Sequence, residues 1–493
     1  MFDSANLEHV IDKATYRKEE PKLRSALLSA QFDLSQAKKF PVLILIAGVE
    51  GAGKSETVNL LHEWMDPRHI QTTAFAAPTE EEQQRPHMWR YWRALPPKGK
   101  VGVFFGAWHT LPILAHAFRK IRTAVFDQYI AEAQRFEQML ADEGVLLVKF
   151  WFHLTKEQQR KRLRNLEKDP KTRWRVTKQD WKYYRRHERF EVVAEHYLRA
   201  TSTGSCPWIV VSGNDARYRN LTVGKALLAA MRDRLEDKGS RAAAPDRTPP
   251  LLASVDRQNV IKALDLSQKI ERSKYERELE TWQGRLALLS RDKQFAKRAV
   301  VCVFEGNDAA GKGGAIRRVT QALDARSYRG VPIAAPTEEE RAQPYLWRFW
   351  RHIPPHGRFT IFDRSWYGRV LVERVEGFCG EADWMRAYAE LNDFEEQLAH
   401  HGIVVCKFWL AISKEEQMKR FKARESVEFK KFKITDEDWR NRKKWDAYEQ
   451  AVCDMVDRTS TQVAPWTLVE ANDKYFARIK VLKTLVKRIE AAM

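Results

Sequence analysis

The sequence predicts an α/β protein built twice over, as two tandem domains that are each a mainly parallel sheet flanked by helices. Three observations carry that prediction. One long internal repeat organises the chain. Within each repeat, short apolar runs alternate with helical segments, as in a parallel sheet with crossover helices. The first apolar run of each repeat empties into a glycine-rich turn with a helix after it.

The repeat is read directly. "AAPTEEE" at 76–82 returns at 334–340, an offset of 258 residues. The same offset pairs "WRYWRALPPKG" with "WRFWRHIPPHG", the two "KFW" segments, Trp181 with Trp439, both "PW" pairs and both "ND" pairs. From Gly48 to Asp215 the register holds without a gap. The seam, "EDKGSRAAAPDRTPPLLAS", is rich in Pro, Ala and charge and has no apolar period. The expected domains are therefore 1–237 and 255–493, with 238–254 as linker.

Each copy opens with a polar helical segment. A strand then runs into the glycine turn: "VLILIAG" into "VEGAGKS", and "AVVCVFEG" into "NDAAGKGG". A helix follows. The second strand ends at "FFGAWHT" in the first copy and at "FDRSWYG" in the second. The third is "VLLVKFWF" or "GIVVCKFWL", followed by "TKEQ" and "SKEE", both capping-box patterns. The last is "WIVVSGND" or "WTLVEAND". Ligands of such sheets sit beyond the carboxyl ends of the strands, where the glycine-rich and acidic motifs fall. "PTEEE" reads as a helix start, its acids favoured by the helix dipole. The tryptophans of "WRYWR" and "WRFWR", three apart, read as one helical face packed in the core rather than as base-stacking groups. Lys149 and Lys407 follow apolar runs, and two readings stand: a cation near the site, or a lysine snorkelling to water.

"GVEGAGKS", Gly48 to Ser55, matches the phosphate-loop pattern GxxxxGK[ST] in full, whereas "GNDAAGKG", Gly306 to Gly313, misses its last position. Glycines turn backbone N–H groups toward phosphate oxygens, the helix N-terminus adds positive potential, and the lysine adds a point charge. In the usual ATP loop the Ser/Thr hydroxyl holds magnesium. The second copy has Gly313 there but adds Asp308 in the loop and Asp363 on the next strand, carboxylates suited to Mg²⁺ or to a hydroxyl proton. The first copy keeps Ser55 but has Glu50 opposite Asp308, Phe105 opposite Asp363 and Gly106 opposite Arg364. The copy that satisfies the pattern lacks the chemistry, and the copy that fails it is equipped.

Composition narrows the partners. The chain has 493 residues, 44% of them hydrophobic, and a net charge of +20, which calls for an anionic partner: nucleic acid, a membrane surface or a polyanion. No apolar run is long enough to span a bilayer, and the start, "MFDSANLEHV", carries no secretory pattern. The five cysteines are scattered with no CxxC, which fits a reducing cytoplasm.

"EGNDAAGKGG" together with "FDRSWYGRVLVERVEGF" resembles the polyphosphate kinase 2 family, and the tandem arrangement resembles its two-domain subgroup, in which AMP is the acceptor. The resemblance covers nearly the whole chain. It implies a P-loop-kinase fold with a helical lid in each domain, Mg²⁺ as cofactor, and transfer of the terminal phosphate of inorganic polyphosphate to AMP, giving ADP, with no membrane and no specific nucleic acid as partner. It also implies site residues. Lys312 and the loop residues Gly306, Asn307, Ala309, Ala310, Gly311, Gly313 and Gly314 match the phosphate loop. Asp308 and Asp363 would orient the acceptor and its metal, and Arg364 follows Asp363 as in the family. Arg369, Glu373 and Arg374 match its nucleotide and polyphosphate channel, to which Lys407 is added. The basic lid falls in "RESVEFKKFKITDEDW", on Arg424, Lys430, Lys431 and Lys433. Gly368 departs from the "YNRAGVER" of many single-domain relatives, and the lid's usual "DP…W" survives better at 168–174 than in the second copy.

In the first copy His109 replaces Tyr367, Ala115 replaces Glu373 and His116 replaces Arg374. The first domain is therefore expected to be non-catalytic, its loop at most an anion site, and to pack against its sister as relatives pair between subunits, with a homo-oligomer as a further expectation. Two rivals remain. An ATP-dependent nucleoside-monophosphate kinase would have GK[ST] in the active copy. A basic nucleic-acid-binding protein would show a recognition helix, RNP motif or zinc finger, none of which is present.

Overall fold

The computed structural model describes residues 1–237, 259–428 and 434–493. The linker expected at 238–254 lies outside the described residues. Each copy forms a parallel sheet, with five strands among the described residues. In the first, β1 (Val42–Gly48), β2 (Ile70–Ala74), β3 (Val101–Phe105), β4 (Leu146–His153) and β5 (Trp208–Ser212) lie in the order β2-β3-β1-β4-β5. In the second, β6 (Ala299–Gly306), β7 (Tyr328–Pro332), β8 (Phe359–Asp363), β9 (Ile403–Ala411) and β10 (Trp466–Glu470) repeat that order as β7-β8-β6-β9-β10.

The central strands are mostly apolar because helices cover both faces, with Lys149, Glu305 and Lys407 as buried exceptions. β6 is buried up to Gly306, and β9 is buried along its whole length. Sequence reading found four strands per copy and missed the edge strands β2 and β7. Both are short and largely exposed, and β7 ends in Pro332, so neither shows an apolar run. Two repeated motifs prove architectural. Asp215 and Asp473 of the "ND" pairs cap the last helix of each copy, accepting from the N–H groups of Tyr218 and Phe476. Thr79 and Thr337 of "PTEEE" form complete capping boxes with Glu82 and Glu340. "TKEQ" forms a box as expected, whereas Ser413 of "SKEE" caps from its own side chain. The tryptophans of the "WR" segments, Trp89, Trp92, Trp347 and Trp350, are buried.

The chain divides into two compact units whose membership departs from sequence order. The first comprises Met1–Pro78, the chain from Arg90 through the last helix of the first repeat, and Pro336–Trp347. The second comprises Thr79–Trp89, the described chain from residue 259 to Ala335, and Arg348–Met493. Each unit thus includes the "PTEEE" segment of the other repeat. In the first unit the N–H of Lys98 donates to the Ala342 carbonyl (2.8 Å) and Gln343 Nε2 to that of Leu95 (3.1 Å). In the second, Arg85 Nε donates to the Ile353 carbonyl (3.0 Å).

Candidate active site

β6 ends at Gly306 and turns through the loop into the helix Lys312–Thr320. Gly306 has φ +147°, and a Cβ there would stand 2.4 Å from the Leu410 carbonyl oxygen, so only glycine lets the loop pass β9. Lys312 Nζ donates to the carbonyl of Gly306 (2.7 Å), which holds the ammonium at the loop mouth. Behind the loop, the buried Arg420 donates to the carbonyls of Ala309 (3.0 Å) and Ala310 (3.1 Å). Asn307 Oδ1 accepts from the N–H of Ile412 (3.2 Å). Sequence reading missed Arg420, because an arginine on a polar helix carries no motif of its own.

The chain runs from β6 to β7 on one side of the sheet and from β8 to β9 on the other, and ligands bind at such a switch point. Asp308, Ala309, Ala310, Gly311, Lys312, Gly313, Gly314, Asp363, Arg364 and Arg424 line a cleft of about 790 Å³ there. Asp363 stands in register with Phe304 of β6. Asp308 Oδ2 accepts from Asn441 Nδ2 (2.9 Å), and its Oδ1 lies 3.5 Å from Arg364, whose other terminal nitrogen is 3.4 Å from Glu437. Burial opposes the Arg364 charge, but Asp308, Glu437, Glu305 and Asp363 outweigh it and raise its pKa. Glu305 is a further acid that sequence reading missed. It is buried beneath the cleft, accepts from Ser365 Oγ (2.8 Å), and is pushed up by burial against the pull of Lys312. The repeat held the signal: positions 47 and 107, opposite Glu305 and Ser365, are both Ala.

Arg364 sits at φ 62°, in the left-handed region, and its counterpart Gly106 takes φ 77°. The turn demands that backbone in both copies. The first meets it with glycine, while the second places an arginine there at a cost of roughly 1–2 kcal/mol. Arg364→Gly is therefore expected to be more stable than Arg364→Ala by about 1 kcal/mol in urea unfolding, while both lose turnover about 10²-fold. Equal stability of the two variants would show the backbone unstrained.

Other expected site residues fall elsewhere. Arg369 pairs with Glu373 (3.1 Å), and Arg374 with Asp454 (2.7 Å) and Tyr388 (2.9 Å); none of the three lines the cleft. Lys407 corrects both sequence readings, for it neither contacts the site nor snorkels. It is fully buried and donates to Glu395 (2.7 Å), Tyr367 (2.7 Å) and the Thr459 carbonyl (2.7 Å). Lys149, Glu137 and the Thr201 carbonyl repeat this arrangement in the first copy, so the pair belongs to the fold that both copies keep. Removing one partner would leave an uncompensated buried charge, typically costing about 3–5 kcal/mol. Lys430, Lys431 and Lys433 lie outside the described residues.

In the first copy the cations are already engaged. Lys54 donates to Glu50 (3.0 Å) as well as to the Gly48 carbonyl (2.7 Å). Glu56, opposite Gly314, sits in the first turn after the loop and draws Arg162 (2.8 Å), Arg219 (3.1 Å) and Arg175 (3.2 Å). The Arg219 guanidinium also lies against Gly53, where a Cβ would stand 1.9 Å from it. An internal carboxylate thus competes with any phosphate for these arginines.

The donor set of the second copy fits Mg²⁺. No group of three His, Cys, Asp or Glu suited to a metal occurs among the described residues. Mg²⁺ at phosphate sites needs only one or two carboxylates, the rest of its shell coming from substrate oxygens and water. Asp308 and Asp363 both line the cleft beside the loop and would supply that pair.

The family model for polyphosphate kinase 2 matches residues 10–239 and again 269–493. The chain is 59% identical over 492 residues to the polyphosphate:AMP phosphotransferase of Pseudomonas aeruginosa, covering 100% of this chain and 99% of that one. It is 40% identical to the enzyme of that name from Acinetobacter johnsonii, covering 96% of each. A crystal structure of a polyphosphate kinase 2 from Pseudomonas aeruginosa superposes with a TM-score of 0.91 at 57% identity, covering 100% of this chain and 99% of that one.

Proposed function

The chain belongs to the polyphosphate kinase 2 family, and from that premise we propose that it transfers the terminal phosphate of inorganic polyphosphate to AMP, giving ADP. One observation carries the reading: the loop, Lys312, Arg364 and two carboxylates converge on a cleft of about 790 Å³, ample for a nucleotide and the end of a phosphate chain. The net charge of +20 suits a polyanionic donor.

Phosphoryl transfer asks for positioning and charge neutralisation more than for covalent chemistry. The loop N–H groups and Lys312 hold the terminal phosphate of the donor. An α-phosphate oxygen of AMP, already ionised at neutral pH, attacks its phosphorus in line. The bond to the penultimate phosphate breaks, and the shortened chain leaves as an anion. Because a phosphate oxygen attacks, no general base is required. Arg364 spreads the charge that develops on the transferred group, and its contact with Asp308 keeps it at the cleft wall. Asp308 and Asp363 would hold Mg²⁺, which when bound neutralises phosphate charge.

The first copy is non-catalytic in this reading. It has lost Asp363, Arg364, Glu305 and Ser365 to Phe105, Gly106, Ala47 and Ala107, and its cations are paired internally. A cytoplasmic setting is supported by five free cysteine thiols. Among the described residues no helix is long and apolar enough to cross a membrane.

The test is incubation with polyphosphate, Mg²⁺ and either AMP or ADP, with ATP omitted, followed by separation of the nucleotides. AMP should yield ADP. Conversion only of ADP would overturn the acceptor, and turnover only with ATP added would overturn the donor.

A further inference from the structure

Glu305, Arg364 and Ser365 change together between the copies: the first has Ala47, Gly106 and Ala107 in their places. The turn after β8 is a poor place for a side chain. Arg364 takes φ 62°, a region that residues other than glycine enter at a cost. At the matching Gly106 a Cβ would stand 3.0 Å from the Phe75 carbonyl oxygen, so the turn of the first copy is crowded as well. Strained backbone persists only where its surroundings over-determine it.

The second copy supplies that constraint on both sides of the strained bond. The Arg364 N–H donates to the Phe304 carbonyl (3.0 Å). The next hydroxyl, Ser365 Oγ, donates to Glu305 Oε1 (2.8 Å). Two consecutive residues after β8 are thus tied to two consecutive residues of β6, one through backbone and one through side chains. Ser365 Oγ also accepts from the Tyr367 N–H (3.3 Å), which fixes the start of the short 3-10 helix Trp366–Arg369. Glu305 is 6% exposed and Ser365 1%, and neither lines the cleft. A hydrogen bond so shielded from water is stronger than an exposed one. Alanine at 47 and 107 can make no such bond, and there the turn is glycine.

We infer that Glu305 is a positioning residue: through Ser365 it holds the left-handed turn that sets the Arg364 guanidinium at the cleft wall. The inference rests on reading the second copy as the site of phosphoryl transfer. The Glu305 charge also reaches Lys312 and Arg364 directly, so the experiment separates the bond from the charge.

Turnover of polyphosphate with AMP is measured on full-length variants, together with Tm. Glu305→Ala and Ser365→Ala should each lower kcat about tenfold with little change in KM, because Arg364 acts on charge that develops during transfer. Glu305→Gln keeps the acceptor oxygen and should stay within about threefold of the unaltered chain. Combined with Arg364→Gly, Glu305→Ala should cost no more than Arg364→Gly alone, since no arginine is left to position. A Glu305→Gln loss as large as that of Glu305→Ala would overturn the inference in favour of charge. A further loss in the Arg364→Gly background would overturn it in favour of an action through Lys312.

Tm needs no substrate. Each single alanine variant should lower it by leaving the other buried group unpaired. The double variant, which reproduces the alanine pair of the first copy, should lower it by less than the sum of the two. Additive losses would overturn the bond between the strands whatever the turnover. Coupled losses in a chain that does not use polyphosphate would leave the bond standing and overturn only the phosphoryl-transfer reading.

Discussion

Lys312→Ala is expected to lower polyphosphate-dependent turnover by about 10²–10³, with Asp363→Ala falling as far. The two act differently. Lys312 is the loop's point charge, held at the mouth by the Gly306 carbonyl at 2.7 Å, and in the proposed reaction its loss would take a cation from the donor's terminal phosphate. Asp363 ends β8 and faces the same cleft, and its loss removes half of the carboxylate pair. The loop backbone is set by Gly306 and pinned by Arg420, so Tm of Asp363→Ala should stay near that of the unaltered chain, while Lys312→Ala also gives up the ammonium's bonds to the Gly306 and Asn307 carbonyls and should fall slightly. The internal control is the repeat: Lys54→Ala should leave turnover unchanged, because Lys54 is engaged by Glu50 in a copy that has lost its acid. Near-normal turnover in Lys312→Ala and Asp363→Ala, or an equal loss in Lys54→Ala, would remove the second copy from its assigned role.

Residues 255–493 expressed alone are expected to be poorly soluble or markedly less stable than the whole chain, although they contain the complete phosphate loop and both carboxylates. The compact unit that holds all of them except Pro336–Trp347 also contains Thr79–Trp89. Without it, the Arg85 bond to the Ile353 carbonyl is lost, along with the buried Met88 and Trp89. Burial of such a side chain is worth about 1.5–3 kcal/mol each, a large share of the 5–15 kcal/mol that holds a typical domain together. Co-expression of residues 1–237 should restore solubility and turnover by supplying the segment in trans. A fragment as stable and as active as the full chain would show that the exchanged segment is dispensable. If it holds, the first copy supports the second through its segment rather than through chemistry.

Much of this was legible in one dimension because the chain carries its own comparison. Buried strands such as β6 and β9 announce themselves as apolar runs with a single charged residue each. The offset of 258 residues then separates what both copies keep from what one has lost. Lys149 and Lys407 recur, and the structure shows both in the same buried pair. Asp363 and Arg364 do not recur, and both line the cleft. The same comparison pointed to Glu305 and Ser365, which stand inside the two quoted motifs but were given no role. β7 was illegible for another reason: an exposed edge strand has no buried face to leave a pattern.

The sequence by itself determined the duplicated α/β architecture and its two glycine-rich turns, and it showed which copy carries Asp363 and Arg364. Each of these depends on local periodicity or on residue identity at a fixed spacing, and both survive in a linear string. Only the tertiary structure decided that Lys407 is buried among Glu395, Tyr367 and Thr459, that Arg364 holds a left-handed backbone, that Glu56 gathers three arginines, and that each unit contains a segment of the other repeat. These are outcomes of packing between residues far apart in the chain. A lysine after an apolar run reads the same whether it ends in water or in the core; the partners that settle the matter come from distant helices.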